Sequence, residues 1–253
     1  MTTSSLFQIL KELPTPISQS QCVLYKQELL VCGGWNEKNC YSYHTIKNEY
    51  KFICEYPKDV KLFGHCVVKL LNNKNKDNNE ITLLSFGGYS DKKHTLIMKY
   101  KSVWNNDENN KLHNYNKWVP FKDNNNNTID IGGYSENYQG ACALIGGNNN
   151  NLLFITYRRN NISIYNLKTF KCIKHDNLPI KSDWICNEMI LFCECTGLLI
   201  KYDEYNNIFQ FNQLPVCDAI SSFKYYAYVY INNYILFFGG WTDSFDEIKV
   251  FQN

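Results

Sequence analysis

Leu29-Leu30-Val31-Cys32-Gly33-Gly34 is the stretch that sets the reading of the chain: four apolar residues closing on a glycine doublet. A short apolar run bounded by glycine suits a strand buried on both faces. Paired glycines at its end suit positions that need positive φ or close approach of a neighbouring backbone. The phrase returns as Leu83-Leu84-Ser85-Phe86-Gly87-Gly88 and as Ile235-Leu236-Phe237-Phe238-Gly239-Gly240. Leu152 to Tyr157 and Met189 to Cys193 repeat the apolar run, with Tyr157-Arg158 and Cys193-Glu194 where the doublet would stand.

The same neighbours surround each run. Before it comes a short strand with a small residue in a comparable place: Cys22-Val23-Leu24, Cys66-Val67-Val68, Cys142-Ala143-Leu144, Trp184-Ile185-Cys186 and Ala227-Tyr228-Val229. Cysteine there acts as a compact apolar residue at a crowded site near a central axis. After the run come a third strand centred near Tyr43, Tyr100, Tyr165, Tyr202 or Ile248, and a fourth near Phe52, Trp118, Phe170 or Phe209. Five of the six prolines close similar phrases (Leu13-Pro14, Tyr56-Pro57, Val119-Pro120, Leu178-Pro179, Leu214-Pro215), and because proline cannot donate to a ladder it marks the exit of an edge strand. Ordered recurrence of a four-strand unit predicts an all-β architecture of β-propeller blades.

The order of apolar run, Gly-Gly, later Tyr and then Trp or Phe resembles the kelch repeat. Leu29 to Gly34 with Tyr43 and Phe52 carries it best, with Phe where the family usually has Trp; Leu83 to Gly88 with Tyr100 and Trp118 is close behind. Gly33, Gly34, Gly87, Gly88, Gly239 and Gly240 are its structural positions. The resemblance implies one kelch-type β-propeller over 1–253, with repeats at 18–57, 62–120, 138–179, 182–215 and 222–251 plus 6–14. Five blades of four antiparallel strands are expected, the last closed by Leu6 to Glu12 pairing with Ile248 to Phe251. An incomplete six- or seven-bladed ring is the alternative.

Composition narrows the function. Twenty-six Lys plus Arg against 24 Asp plus Glu give a formal charge of only +2, without the concentrated positive field that a phosphate backbone requires. No nucleic acid and no membrane partner is expected: nothing approaches a spanning apolar segment, and Met1 to Leu13 lacks the pattern of a secretory signal. The 11 cysteines are odd in number and read as free thiols of a cytoplasmic protein. The Asn-rich tracts, such as Asn72 to Asn79 and Asn148 to Asn151, read as surface insertions, and Gly132-Gly133 and Gly146-Gly147 as turn glycines.

Catalysis has no framework here. The five histidines are scattered over different units, so no ligand set is expected for the metal of a kelch-fold oxidase. His65 reads as a hydrogen-bonded core or turn histidine. Cys193 and Cys195 share a strand face but have no second pair to complete a zinc site. No nucleophile elbow or phosphate loop occurs. No catalytic residue, metal or cofactor is therefore expected.

The kelch resemblance implies instead that loops after the second strand, and those joining a fourth strand to the next first strand, gather on one face and bind peptides. Position by position these are Trp35 and Asn36, Tyr89 and Asp91, Arg158 and Arg159, and Trp241 and Asp243. Trp, Tyr and Arg dominate interface hot spots, and an Arg pair suits a carboxylate or acidic peptide. An adaptor or scaffold for protein binding is the expected function, with a metal-dependent oxidase, a sugar isomerase or a shortened, inactive family member as alternatives.

Overall fold

The structure, a computed structural model, describes residues 11–70, 80–88, 93–105, 114–123, 125–132, 136–179, 190–193, 196–215, 224–231 and 234–241. For 190–193, 196, 215, 224–231 and 234–241 it describes the backbone alone. Every element among the described residues is a strand.

Strands β1 (Gln21–Tyr25), β2 (Glu28–Gly34), β3 (Glu37–His44) and β4 (Glu49–Glu55) form the first sheet, in chain order. The second holds β5 (Cys66–Leu70), β6 (Glu80–Gly87), β7 (His94–Lys101) and the short β8 (Val119–Pro120); the third holds β9 (Cys142–Gly146), β10 (Leu152–Tyr157), β11 (Asn161–Asn166) and β12 (Lys171–Asn177). A three-stranded sheet of β13 (Ile190–Cys193), β14 (Thr196–Asp203) and β15 (Ile208–Pro215) follows, then a pair of β16 (Lys224–Ile231) and β17 (Tyr234–Trp241). All pairings are antiparallel. The fold is thus all-β, built from repeated blade-type sheets in which consecutive strands are neighbours. The expected N-terminal closing strand lies outside the described residues at 6–10, as does its partner at 248–251; Lys11 and Glu12 carry no strand.

Second strands β2, β6 and β10 are largely apolar because both of their faces are covered. Side chains alternate across a strand, and the two parities go to different neighbours. Leu30 and Cys32 of β2 pack with Val67, Leu83, Met98 and Trp118 of the second sheet region, whereas Leu29 and Val31 pack with Ile17, Tyr41 and Tyr43 on the opposite face. In β6, Ile81 and Leu83 turn toward the first sheet, and Leu84 and Phe86 join Leu153, Ile155 and Tyr157 of the third. In β10 the remaining parity, Leu152 and Phe154, meets Leu198, Ile200 and Phe209 of the fourth. Burying one such aliphatic or aromatic side chain contributes about 2 kcal/mol, so each sheet supplies a surface that its neighbour needs.

First strands meet at the inner edge: β5 lies against β9, and β1 against both β5 and β16. The small residues expected there are present, with Cys66 and Cys142 buried. Fourth strands lie outermost and are mostly exposed, as β4 and β12 illustrate.

Several polar side chains buried between the first two sheets are hydrogen-bonded to one another. Tyr56, stacked on Trp118 at 4.7 Å, donates its hydroxyl to Ser85 Oγ at 3.0 Å. At the other end of the same junction Glu28, 5% exposed, accepts from Ser42 Oγ at 2.7 Å and from the Tyr100 hydroxyl, while the Trp104 indole donates to Ser42 at 2.9 Å. These bonds satisfy a carboxylate that would otherwise be costly to bury.

Candidate functional site

Antiparallel order fixes which loops share an end of the sheets. A chain that runs up the first strand and down the second makes its second-to-third turn at the end where the fourth strand leaves for the next sheet. The turns after β2, β6 and β10 therefore stand beside the connections that lead into β1, β5 and β9. Contacts confirm the juxtaposition: Trp35 N donates to Ser18 O at 2.8 Å, Gly140 N donates to Gly64 O at 2.7 Å, and Gly88 bridges to Tyr138.

Trp35 and Asn36 form the turn between β2 and β3, with Gly34 opposite Glu37. Gly33 has φ +56° and Asn36 φ +59°, left-handed positions that glycine and asparagine tolerate. The turn presents Trp35 at 49% exposure, and its ring meets Phe63 edge-on at 6.1 Å, across the gap to the connection leading into β5. An aromatic pair half in water offers apolar area and an indole N–H to a partner.

Arg158 and Arg159 lie in the turn between β10 and β11, where Arg159 and Asn160 have φ +64° and +58°. Arg158 is half-buried and donates from Nη1 to Gln139 Oε1 at 3.2 Å, so its guanidinium is held by the connection entering β9; Arg159 is exposed. Trp35 and Arg158 share an end of the fold while belonging to different sheets. Trp241 is the last residue of β17, paired with Lys224; only its backbone is described. Tyr89, Asp91 and Asp243 lie outside the described residues, as does Cys195.

Two polar clusters lie beneath this end, of which sequence reading reaches His65 alone, as a hydrogen-bonded core histidine. In one, Glu136 accepts from Tyr138 at 2.8 Å, Tyr165 at 3.1 Å and Tyr157 at 3.2 Å, and Tyr157 also meets Ser163 and His175 Nδ1 at 3.1 and 3.2 Å. Burial raises all three phenols, Tyr157 to about 12, so at neutral pH they remain donors. Lys93 lies over the Tyr138 ring at 5.6 Å. Ser163 contacts His175 Nδ1 at 3.1 Å but is fully buried, which denies a substrate access to its hydroxyl. The cluster is a rigid base for the Arg158 turn.

The other cluster holds His65 and His94, 6.1 Å apart between ring centroids. His65 Nε2 donates to Cys32 O at 2.9 Å, and His94 Nε2 contacts Ser85 Oγ at 2.9 Å. Burial drives His65 down to about 4; burial and then the neighbouring His65 drive His94 to about 3. Both are neutral imidazoles. Among the described residues, no group of three His, Cys, Asp or Glu side chains is placed to hold a metal ion, and no helix is long and apolar enough to cross a membrane.

One signal for the missed positions was available. Phe63-Gly64-His65-Cys66 and Gln139-Gly140-Ala141-Cys142 share their spacing to the first-strand cysteine, and the residues three before that cysteine, Phe63 and Gln139, are those that touch Trp35 and Arg158.

No family model matches the sequence, and no curated protein does. The fold is similar to the solved structure of YjhT, with a TM-score of 0.52 at 11% identity over 90% of this chain and 73% of that one. At that identity the likeness is one of fold alone.

Proposed function

We propose that the chain is a kelch-type β-propeller acting as a cytoplasmic protein-binding module, which engages an extended, acidic peptide segment of a partner at the end bearing Trp35 and Arg158. A ring is supported by β1 adjoining both β5 and β16, first strands from opposite ends of the described chain, and by the two-faced packing of β2, β6 and β10. The free state of Cys22, Cys32, Cys40, Cys54, Cys66, Cys142 and Cys172 suits a reducing compartment.

The observation that carries the binding reading is Trp35, 49% exposed on a rigid two-residue turn whose backbone is tied to Ser18. A large aromatic held out by a fixed backbone loses little freedom on binding, and the Arg158 turn supplies charge at the same end. Peptides selected from a displayed library on the wild-type protein test the reading. Enrichment of acidic sequences, with binding weakened at least tenfold by Trp35→Ala and by Arg158→Glu with Arg159→Glu, supports it. Selected peptides that bind all variants equally overturn it.

A further inference from the structure

Cys32, Cys40 and Cys54 stand in one row across three strands of the first sheet. Cys32 is the register partner of Cys40 between β2 and β3, and Cys40 is the partner of Cys54 between β3 and β4. Opposed residues of an antiparallel pair bring their Cβ atoms to about 4.5–5.5 Å, whose lower limit meets the upper limit of about 4.5 Å that a disulfide spans. Irregularities in the register lie beside the row, after Cys32 and after Cys40, and such bulges re-aim side chains. All three side chains belong to the same face, packed against the second sheet.

The sulfur of Cys40 is the hub. The Trp118 indole donates to it at 3.4 Å, and an indole N–H can only donate. The thiols of Cys32 and Cys54 both interact with it, and the Cys54 thiol also faces Met98 Sδ at 3.7 Å. Burial opposes a thiolate at Cys40, but the neighbouring thiols, Trp118 and the Gly33 N–H outweigh it and hold the group below the usual thiol range. The Cys40 S–H in turn faces Lys38 O at 4.0 Å, a long contact. Hydrogen bonding to Cys40, and then burial, hold Cys54 above the usual range. Cys40 and Cys32 are fully buried, whereas Cys54, on the outermost strand, is half-buried. One end of the row therefore reaches solvent.

We propose that this row is an oxidative modification site, at which a small hydroperoxide converts Cys54 and Cys40 into a cross-strand disulfide. The peroxide meets Cys54: its sulfur attacks the O–O bond, an S–O bond forms, and the first water leaves with the thiol proton. The Cys40 sulfur then displaces the sulfenic oxygen, the S–S bond forms, and a second water departs. Two thiols have lost two electrons and two protons, and one peroxide has become two waters. The first step is slow because little Cys54 thiolate is present; the second is fast because Cys40 is poised beside it, so sulfenic acid does not accumulate. Cys32 can then attack Cys40 and release Cys54, which moves the disulfide inward by exchange.

The test treats the native protein with millimolar hydrogen peroxide, unfolds it in excess alkylating agent and maps its peptides. A Cys40–Cys54 or Cys32–Cys40 disulfide that dithiothreitol reverses is expected, with dimedone capturing no sulfenic acid. In Cys40→Ser, dimedone is expected to capture Cys54 and the row to form no disulfide. Cys54→Ser, a change at the half-buried outer position, serves if Cys40→Ser does not fold, and is expected to lower disulfide yield at Cys40 at least tenfold. Full alkylation of Cys40 after peroxide, or pairing of Cys40 with Cys172 in place of its row neighbours, overturns the proposal.

Discussion

Tyr56 gives its hydroxyl proton to Ser85 Oγ at 3.0 Å, across the junction between the first and second sheets. Ser85 Oγ also contacts His94 Nε2, 2.9 Å away; a serine hydroxyl has one proton and two lone pairs, so it bridges the phenol and the imidazole with either tautomer of the ring. The relay ties two sheets through a neutral histidine. Tyr56→Phe removes its first link and leaves the ring in place, so a loss of about 1 kcal/mol in unfolding free energy is expected. Urea titration at neutral pH measures it; an unchanged midpoint contradicts the relay.

Acid should weaken the same junction. His65 and His94 are depressed from an ordinary 6.5 to about 4 and about 3. Above pH 6.5 both rings are neutral in the folded and unfolded chains. As pH falls below 6.5 the unfolded chain takes up protons that the folded chain refuses, so stability drops until the folded values are reached. On the order of 2 kcal/mol per histidine is lost at pH 4.5. Unfolding free energies at pH 7 and 4.5 should therefore converge in part in His94→Gln, whose amide does not titrate; an equally steep profile in the variant refutes the assignment.

Glycine 34 illustrates a packing constraint that differs from backbone freedom. A Cβ there would run into Ile17 Cγ2 and the Ser18 carbonyl, the segment that also anchors Trp35. Gly34→Ala is expected to cost about 2 kcal/mol, as overpacking does, and to loosen the Trp35 turn. Thermal unfolding, with the fluorescence of Trp35 followed against a Trp35→Phe background, reads both effects.

The turns between third and fourth strands carry a repeated device. Tyr43 donates to Asn48 Oδ1 at 2.7 Å and Tyr202 to Asn207 Oδ1 at 2.6 Å, and both asparagines are left-handed, at φ +51° and +57°. In the third sheet Phe170 takes that place, at φ +53°. Asn48→Ala gives up both the favourable backbone position and the bond, with an expected loss of about 1–2 kcal/mol by chemical denaturation.

How far these features were readable depends on what each residue answers to. The run Leu29 to Cys32 is legible because every side chain in it is buried whichever way it points, and Cys66 and Cys142 because both are buried where β5 and β9 adjoin. Phe170 misleads: an aromatic before Lys171 looks like the start of a fourth strand, yet it occupies the turn and β12 begins one residue later. Trp118 likewise precedes β8. Trp35 is legible as the residue after a doublet, but its contact with Phe63 and that of Arg158 with Gln139 depend on the paths of connections between sheets, whose local sign is no more than the shared spacing of Phe63 and Gln139 to Cys66 and Cys142. The row of Cys32, Cys40 and Cys54 escapes a linear reading because only register brings it together.

That β1 adjoins β16 bears on how the molecule is made. The two strands are separated by roughly two hundred residues, the kind of distant pairing that slows folding. On the ribosome the first sheet is complete long before its late neighbour is synthesised, and it must wait with its inner edge unmatched. Newly made chains are then most exposed to wrong association during that interval, and translation speed between the third sheet and β16 becomes a determinant of yield.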